Sequence, residues 1–467
     1  MAPFDVVIVG AGPAGIFAAL ELTKNAGNLS ILMLEKGKDI EKRRCPSQEK
    51  GIRCIGCEPC SVTSGWGGAG AFSDGKLTLT SEFGGVLDEY AGEALTRELI
   101  DYVDSIYVRF GATQKVFGDD DLQMKEIGRK AVAAGLSLVP ARVRHIGTEY
   151  CPELLRKMKN ELAGKVEIRT ESEVGQILTE ETPDGRLRVR GVRLVTGEEF
   201  LAPIVICAPG RGGAEWIARE ATRLGLALYN NAVDIGVRVE VPAVILEPLT
   251  NIAYEPKLRF FSISFDDPVR TFCVCPYGEV VMENTGGLIT VNGHSRREAR
   301  TENTNFAVLV SKTFTEPFRE PITYGKYIAS LANMLGGGVI VQRLGDLMAG
   351  RRSTEKRLAK SMVQPTLNEA TPGDLSLVLP YRFLIDIMEM LEAMERMVPG
   401  INSRYTLLYG VEVKFYSSRL EVDKDLQTKV QGLYTCGDGA GITRGLIQAS
   451  ASGVYVARRL LENMKAK

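Results

Sequence analysis

Five groups of residues in this 467-residue chain have the types and spacing that chemistry requires. The first is Gly10-Ala11-Gly12-Pro13-Ala14-Gly15, entered from the apolar run Val6-Val7-Ile8-Val9 and followed by a helical stretch, a second strand over 29–34, and Glu35-Lys36. Strand, glycines, helix, strand and terminal acid in that order make a dinucleotide fingerprint in full context. Gly10 permits the tight turn and Gly12 lets backbone approach a pyrophosphate. Gly15 lets the helix opened by Pro13 and Ala14 lie close on the strand, its N-terminus facing the phosphates. Glu35, with Lys36 beside it, is then placed to hold an adenosine ribose. A purely structural strand-turn-helix would not need this full set of parts.

The second group lies at the other end, where a strand enters Gly437-Asp438-Gly439-Ala440-Gly441-Ile442 and a helical run follows from Gly445. A third, middle segment, Ile204-Val205-Ile206-Cys207-Ala208-Pro209-Gly210, has the same strand-to-glycine form. These segments resemble the glutathione-reductase-like flavoproteins, which implies FAD, with Asp438 on the ribityl and phosphate region. Between them, Gly65-Trp66-Gly67-Gly68-Ala69-Gly70-Ala71-Phe72-Ser73-Asp74-Gly75-Lys76 is rich enough in small residues for backbone N–H groups to reach phosphates and flavin edges. Gly68, Ala69, Gly70 and Ser73 are its candidate contacts. Lys76 would place a cation near the flavin ring, where it stabilises the reduced form, or else closes a turn in solvent. That loop, with Arg144-His145-Ile146-Gly147-Thr148, Asp234-Ile235-Gly236-Val237-Arg238 and Val291-Asn292-Gly293-His294-Ser295, is similar over nearly the whole chain to a family of FAD-dependent dehydrogenases. The resemblance implies an oxidoreductase and carries over no substrate and no catalytic residue.

The last group is Cys45, Cys54, Cys57 and Cys60, immediately before the glycine loop. Three thiolates at C-x2-C-x2-C spacing can converge on an iron–sulfur cube such as [4Fe-4S], with Cys45 as fourth ligand. Four cysteines equally suit a structural zinc, and metal-free thiols or a redox pair are the third reading. The placement is similar to that in the flavin subunit of heterodisulfide reductases. The superfamily's C-x4-C disulfide and a second nucleotide-binding domain are both missing from the sequence. Electrons are therefore expected from NAD(P)H docking on the flavin, from a donor protein, or from the substrate. His145 and His294 are the only histidines, and His294 is the candidate proton donor or acceptor for hydride transfer to a small organic substrate. Arg444, in the turn after Gly441, is a candidate to face flavin and substrate. Cys273-Val274-Cys275-Pro276 alternates two apart, which can set two thiols side by side, although buried cysteine more often simply packs a core.

The elements that position these groups are those of an α/β protein. We expect a discontinuous Rossmann-like FAD-binding domain of three-layer ββα type over 1–90, 141–230 and 350–467. A helical connector or cap is expected over 91–140, and an inserted α+β substrate domain over 231–349, with hydride transfer in the cleft between FAD domain and insertion. Composition agrees with a packed protein: 45% hydrophobic and 25% charged residues. Lysine and arginine number 57 against 58 acids, a net charge of -1, which gives no footprint for nucleic acid or an anionic membrane. No apolar run approaches the roughly 18 residues needed to span a bilayer. A cytoplasmic location is expected. The alternative to an enzyme is an electron-transfer subunit in which flavin and cysteine cluster relay electrons to a partner.

Overall fold

The computed structural model describes residues 4–26, 28–50, 55–229, 231–285, 287–296, 298–312, 321–414 and 417–465. The chain divides into two compact units, one comprising Met1–Gln114, Arg144–Asn231 and Tyr416–Lys467, the other Lys115–Val143 and Ala232–Phe415.

The first unit is built on a five-stranded parallel sheet in the order Leu433–Thr435, Ile204–Cys207, Val6–Val9, Ile31–Leu34, Glu167–Arg169. Val6–Val9 and Ile31–Leu34 are apolar at every position and buried throughout, as strands covered on both faces must be. From Val6–Val9 the chain steps to Ile31–Leu34 on one side, whereas Ile204–Cys207 lies on the other. That reversal of strand order opens a crevice at the carboxyl ends, where α/β sheets bind ligands. A three-stranded antiparallel sheet, Val174–Glu181, Leu187–Leu194 and Glu199–Leu201, belongs to the same unit. The helices Pro13–Asn25 and Leu446–Lys465 touch backbone to backbone, since a Cβ on Gly453 would stand 2.1 Å from the Ala14 carbonyl oxygen.

The expected connector over 91–140 is not one element. The helix Glu93–Arg109 buries Leu99, Ile100, Val103 and Tyr107 within the first unit, where the Tyr107 ring lies 5.0 Å from Phe17 and its hydroxyl 3.0 Å from the Ser450 hydroxyl. The helix Asp121–Ala133 instead buries Met124, Ile127 and Ala131 in the core of the second unit. Residues 350–414 likewise belong to the second unit and not to the expected FAD domain. The reason is the strand Leu407–Lys414, hydrogen-bonded between Ile340–Arg343 and Val233–Pro242.

The second unit is an eight-stranded mixed sheet, ordered Thr371–Pro372, Ile340–Arg343, Leu407–Lys414, Val233–Pro242, Asn303–Lys312, Pro268–Cys275, Lys257–Phe261, Ser137–Val139. In Val233–Pro242 alternate residues Val233, Ile235, Val237, Val239 and Val241 enter one apolar core with the helices Ala243–Ala253, Pro321–Gly336 and Tyr381–Met397. The intervening Arg238 and Glu240, also wholly buried, point to the other face as period-2 geometry demands. Arg238 there makes a two-pronged bond to Glu412 at 2.7 and 2.9 Å.

Candidate functional site

Within the first unit the glycine segments meet at the carboxyl ends of the parallel strands. Gly10, at φ +105°, lies so close to the next strand that a Cβ would stand 2.2 Å from the Ala208 carbonyl oxygen. A Cβ on Gly439 would stand 2.4 Å from the Gly210 carbonyl oxygen, and one on Gly437 2.9 Å from the Ala14 Cβ. The two ends of the chain are thus brought together around the helix starting at Pro13. Gly12 differs from its neighbours. Its φ of -79° suits any residue, and a Cβ there would meet nothing nearer than the Gly68 Cα at 4.0 Å. This is an open cradle at the N-terminus of Pro13–Asn25, faced by Gly68, the first residue of the short helical turn Gly68–Phe72. Gly210 and Gly445 also open onto free space. Gly70 does not, because a Cβ there would press on Leu446 at 2.7 Å.

Glu35 is buried and does more than wait for a ribose. Its Oε2 accepts from the Ala11 N–H at 2.9 Å, and its Oε1 accepts from Gly37 and Gly65 N–H, both at 2.8 Å. A carboxylate offers about four acceptor positions, so three bonds leave room for one hydroxyl on Oε2. Glu35 therefore ties the fingerprint turn to the glycine loop. Lys36 donates to the Gly212 carbonyl at 2.8 Å. Ser73 donates to the Gly70 carbonyl at 2.9 Å and so closes the loop upon itself. Lys76 is nearly buried against Asp74 at 2.9 Å, which gives the loop a held cation and not a solvated one.

Asp438 accepts from the Thr443 hydroxyl at 2.8 Å and the Gly445 N–H at 3.2 Å. Burial pushes its carboxyl above the usual range, with Arg211 foremost among the groups that pull it back and Arg444 also opposing. The Arg444 backbone N–H and the Ile442 carbonyl pair with residues 84–86, through bonds of 2.6 Å to the Gly84 carbonyl and 2.8 Å from the Val86 N–H. Gly441, at φ +72°, packs its Cα against the Ser417 and Ser418 carbonyls, where a Cβ would stand 2.7 Å away.

Arg43, in the basic run Lys42-Arg43-Arg44, was not evident from the sequence. It is buried, and its guanidinium donates to four carbonyls: Ser61 at 2.9 Å, Val62 at 2.9 Å, Trp66 at 2.7 Å and Gly68 at 2.8 Å. Burial brings it down to about 10, with Glu35 the main opposing charge. It shapes the loop that faces Gly12. Arg144, in the segment before Gly147, is committed to Asp104 through two bonds of 2.7 Å. His145 beside it is buried. His294 belongs to the second unit, half-buried at the end of Leu288–His294 and opposite Glu279 in the strand register.

Cys54 lies outside the described residues. Cys45, Cys57 and Cys60 are half-buried, and among the described residues their thiols do not gather into a three-ligand group within 4.8 Å. Cys207 and Cys436, directly beneath the glycine turns, are fully buried, and burial pushes Cys436 up to about 12 and Cys207 higher still. No helix among the described residues is long and apolar enough to cross a membrane.

Comparison with known proteins adds to this geometry. Residues 233–415 match the family described as FAD-dependent protein, C-terminal domain-like. An uncharacterized protein of Clostridium beijerinckii is 28% identical over 492 residues, spanning 98% of this chain and 80% of that protein. Among solved structures, L-proline dehydrogenase from P. horikoshii aligns at a TM-score of 0.41 and 12% identity, covering 99% of this chain and 94% of that one. A formate oxidase variant from Aspergillus oryzae RIB40 aligns at 0.43 and 13%, covering 99% of each chain.

Proposed function

We propose that this protein is an FAD-dependent oxidoreductase that passes hydride between the flavin and a small organic substrate. The observation that carries the proposal is the convergence of the fingerprint turn, the Gly68 loop and the Gly437–Gly441 turn on the open cradle at Gly12, at a reversal of strand order. The match of residues 233–415 to an FAD-dependent family supports it independently.

The residues present fit FAD. The Gly12 cradle has no side chain and lies at a helix N-terminus, which suits a diphosphate. Glu35 keeps one acceptor position for a ribose hydroxyl, and Asp438 takes the other end of the cofactor, as the flavoprotein resemblance implies. When bound, the flavin supplies a hydride acceptor and donor at N5. Lys76, held by Asp74, would be the candidate to stand near the flavin ring, and Arg444 the candidate to orient an anionic or carbonyl group of the substrate. His294 is the candidate proton donor or acceptor. Substrate specificity is assigned to the second unit.

Anaerobic reduction of the purified flavoprotein by NADH, NADPH and reduced ferredoxin in parallel, followed by reoxidation against a metabolite panel, tests the reaction. Rapid bleaching of the flavin by one donor and its recovery with one class of metabolite is expected. A flavin that none of the donors and none of the metabolites can reduce would overturn the oxidoreductase reading.

A further inference from the structure

We propose that Cys273 and Cys275 are a redox-active dithiol, which closes to a disulfide and reopens by exchange with low-molecular-weight disulfides and thiols. Both cysteines belong to the second unit.

In a regular strand, residues two apart put side chains on one face with Cα atoms about 6.5–7 Å apart, at the upper limit for a disulfide. Here the strand Pro268–Cys275 is not regular. Its pairing with Asn303–Lys312 runs from Phe272 opposite Ala307 to Cys275 opposite Asn305, so an extra residue is accommodated in a bulge between them. Cys273 takes up the bulge at φ +46°, in the left-handed region that residues with a side chain seldom occupy. The result is a thiol-to-thiol distance of 3.8 Å, close to van der Waals contact. Strained conformations of this kind persist where the surroundings enforce them.

Within the second unit a cation stands beside one of the two thiols. The Arg238 guanidinium lies 4.0 Å from the Cys275 sulfur and donates to the Cys273 carbonyl at 3.0 Å. Lys414 shares Glu412 with Arg238, at 3.0 and 2.7 Å, and all three are buried. Arg238 therefore offers a thiolate at Cys275 a neighbouring positive charge. Cys151, Cys207 and Cys436 sit in a different setting, where burial raises their thiols, with Asp74 and Glu149 adding to it at Cys151, and Cys436 and Glu220 adding to it at Cys207.

The two cysteines differ in access. Cys273 is half-buried and Cys275 is fully buried. In the forward direction the Cys273 thiolate attacks one sulfur of a small disulfide R–S–S–R, forming a mixed disulfide and releasing R–S⁻. The Cys275 thiolate then attacks the Cys273 sulfur, the Cys273–Cys275 bond forms, and a second R–S⁻ leaves. Each released thiolate takes up one of the protons lost by the cysteines, so one R–S–S–R becomes two R–SH as the dithiol loses two hydrogens.

The test is incubation of the full chain with oxidised glutathione, rapid alkylation and peptide mapping. The peptide containing Cys273 and Cys275 is expected lighter by two hydrogens and unalkylated, and dithiothreitol is expected to restore two alkylatable thiols. Cys275→Ser is expected to accumulate glutathione on Cys273, because the resolving thiol is gone. Cys273→Ser is expected to lose glutathione uptake at this peptide. Two alkylated thiols in the oxidised wild-type peptide, or a Cys275→Ser chain that carries no adduct at Cys273, would overturn the proposal. The mapping of the wild type decides the matter even where a variant fails to fold.

Discussion

Glu35 shows how one side chain can serve architecture and ligand together. Its carboxylate is the acceptor for three backbone N–H groups, those of Ala11, Gly37 and Gly65. Replacement by glutamine turns one acceptor oxygen into a donor, so at least one of those buried N–H groups loses its partner. We predict that Glu35→Gln lowers the unfolding free energy of the apoprotein by about 1–3 kcal/mol, measured in urea. An apoprotein as stable as wild type would show that the three bonds are not formed. A second residue effect is set by pH. Asp386 is fully buried, and burial, aided by neighbouring Asp267 and opposed by Ser262 and Lys312, raises its carboxyl from 3.8 to about 6. Asp267 goes the other way. Although burial opposes it, Arg382 and Lys312 hold it down to about 2. The folded state thus keeps the Asp386 proton that the unfolded chain has already released. That contribution is fully present below 3.8 and is lost as pH rises through about 6. Asp386→Asn should therefore remove a decline in stability across that window and leave the chain on the order of 1–3 kcal/mol more stable at neutral pH. An Asp386→Asn chain with the wild-type pH profile would contradict the assignment.

Among the elements, the helix pair Pro13–Asn25 and Leu446–Lys465 is what joins the two ends of the chain. Their contact depends on Gly453, where a Cβ would run into the Ala14 carbonyl at 2.1 Å. Gly453→Ala is predicted to cost about 1–3 kcal/mol through overpacking, visible as a lower thermal midpoint. A midpoint at or above that of wild type would rule out the close approach. The strands beneath these helices were legible in the sequence because Val6–Val9, Ile31–Leu34 and Ile204–Cys207 are short apolar runs that each end at a turn or acid with a ligand logic. Glu93–Arg109 was legible as a helix but not as part of the first unit, since an amphipathic face does not say which core will cover it. Leu407–Lys414 was harder still. Glu412 and Lys414 are poor signals for a buried strand, and their burial is made tolerable by pairing with each other and with Arg238, 174 positions from Glu412. The C-x2-C-x2-C spacing was plain in the sequence, whereas spacing alone does not choose a metal. Arg43 was hidden because its four carbonyl partners are set by loop geometry and leave no mark in residue type.

For the whole molecule, the fold resolves into one unit whose parallel sheet gathers the glycine turns and another whose mixed sheet buries a charged network on one face. A ligand that binds only the folded first unit must stabilise it by mass action. FAD at about a hundredfold over its dissociation constant should add roughly 2.7 kcal/mol to the unfolding free energy of that unit. The most direct measurement is a titration of apoprotein with FAD, wild type beside Gly12→Val, with circular dichroism to confirm that both are folded. The structure has room for a Cβ at Gly12, with nothing nearer than the Gly68 Cα at 4.0 Å, so a side chain placed there enters the cradle. We predict that wild type takes up one FAD per chain and that Gly12→Val binds at least about a hundredfold more weakly. A wild-type apoprotein that takes up no FAD, or a folded Gly12→Val that binds it with unchanged affinity, would contradict the placement of the cofactor.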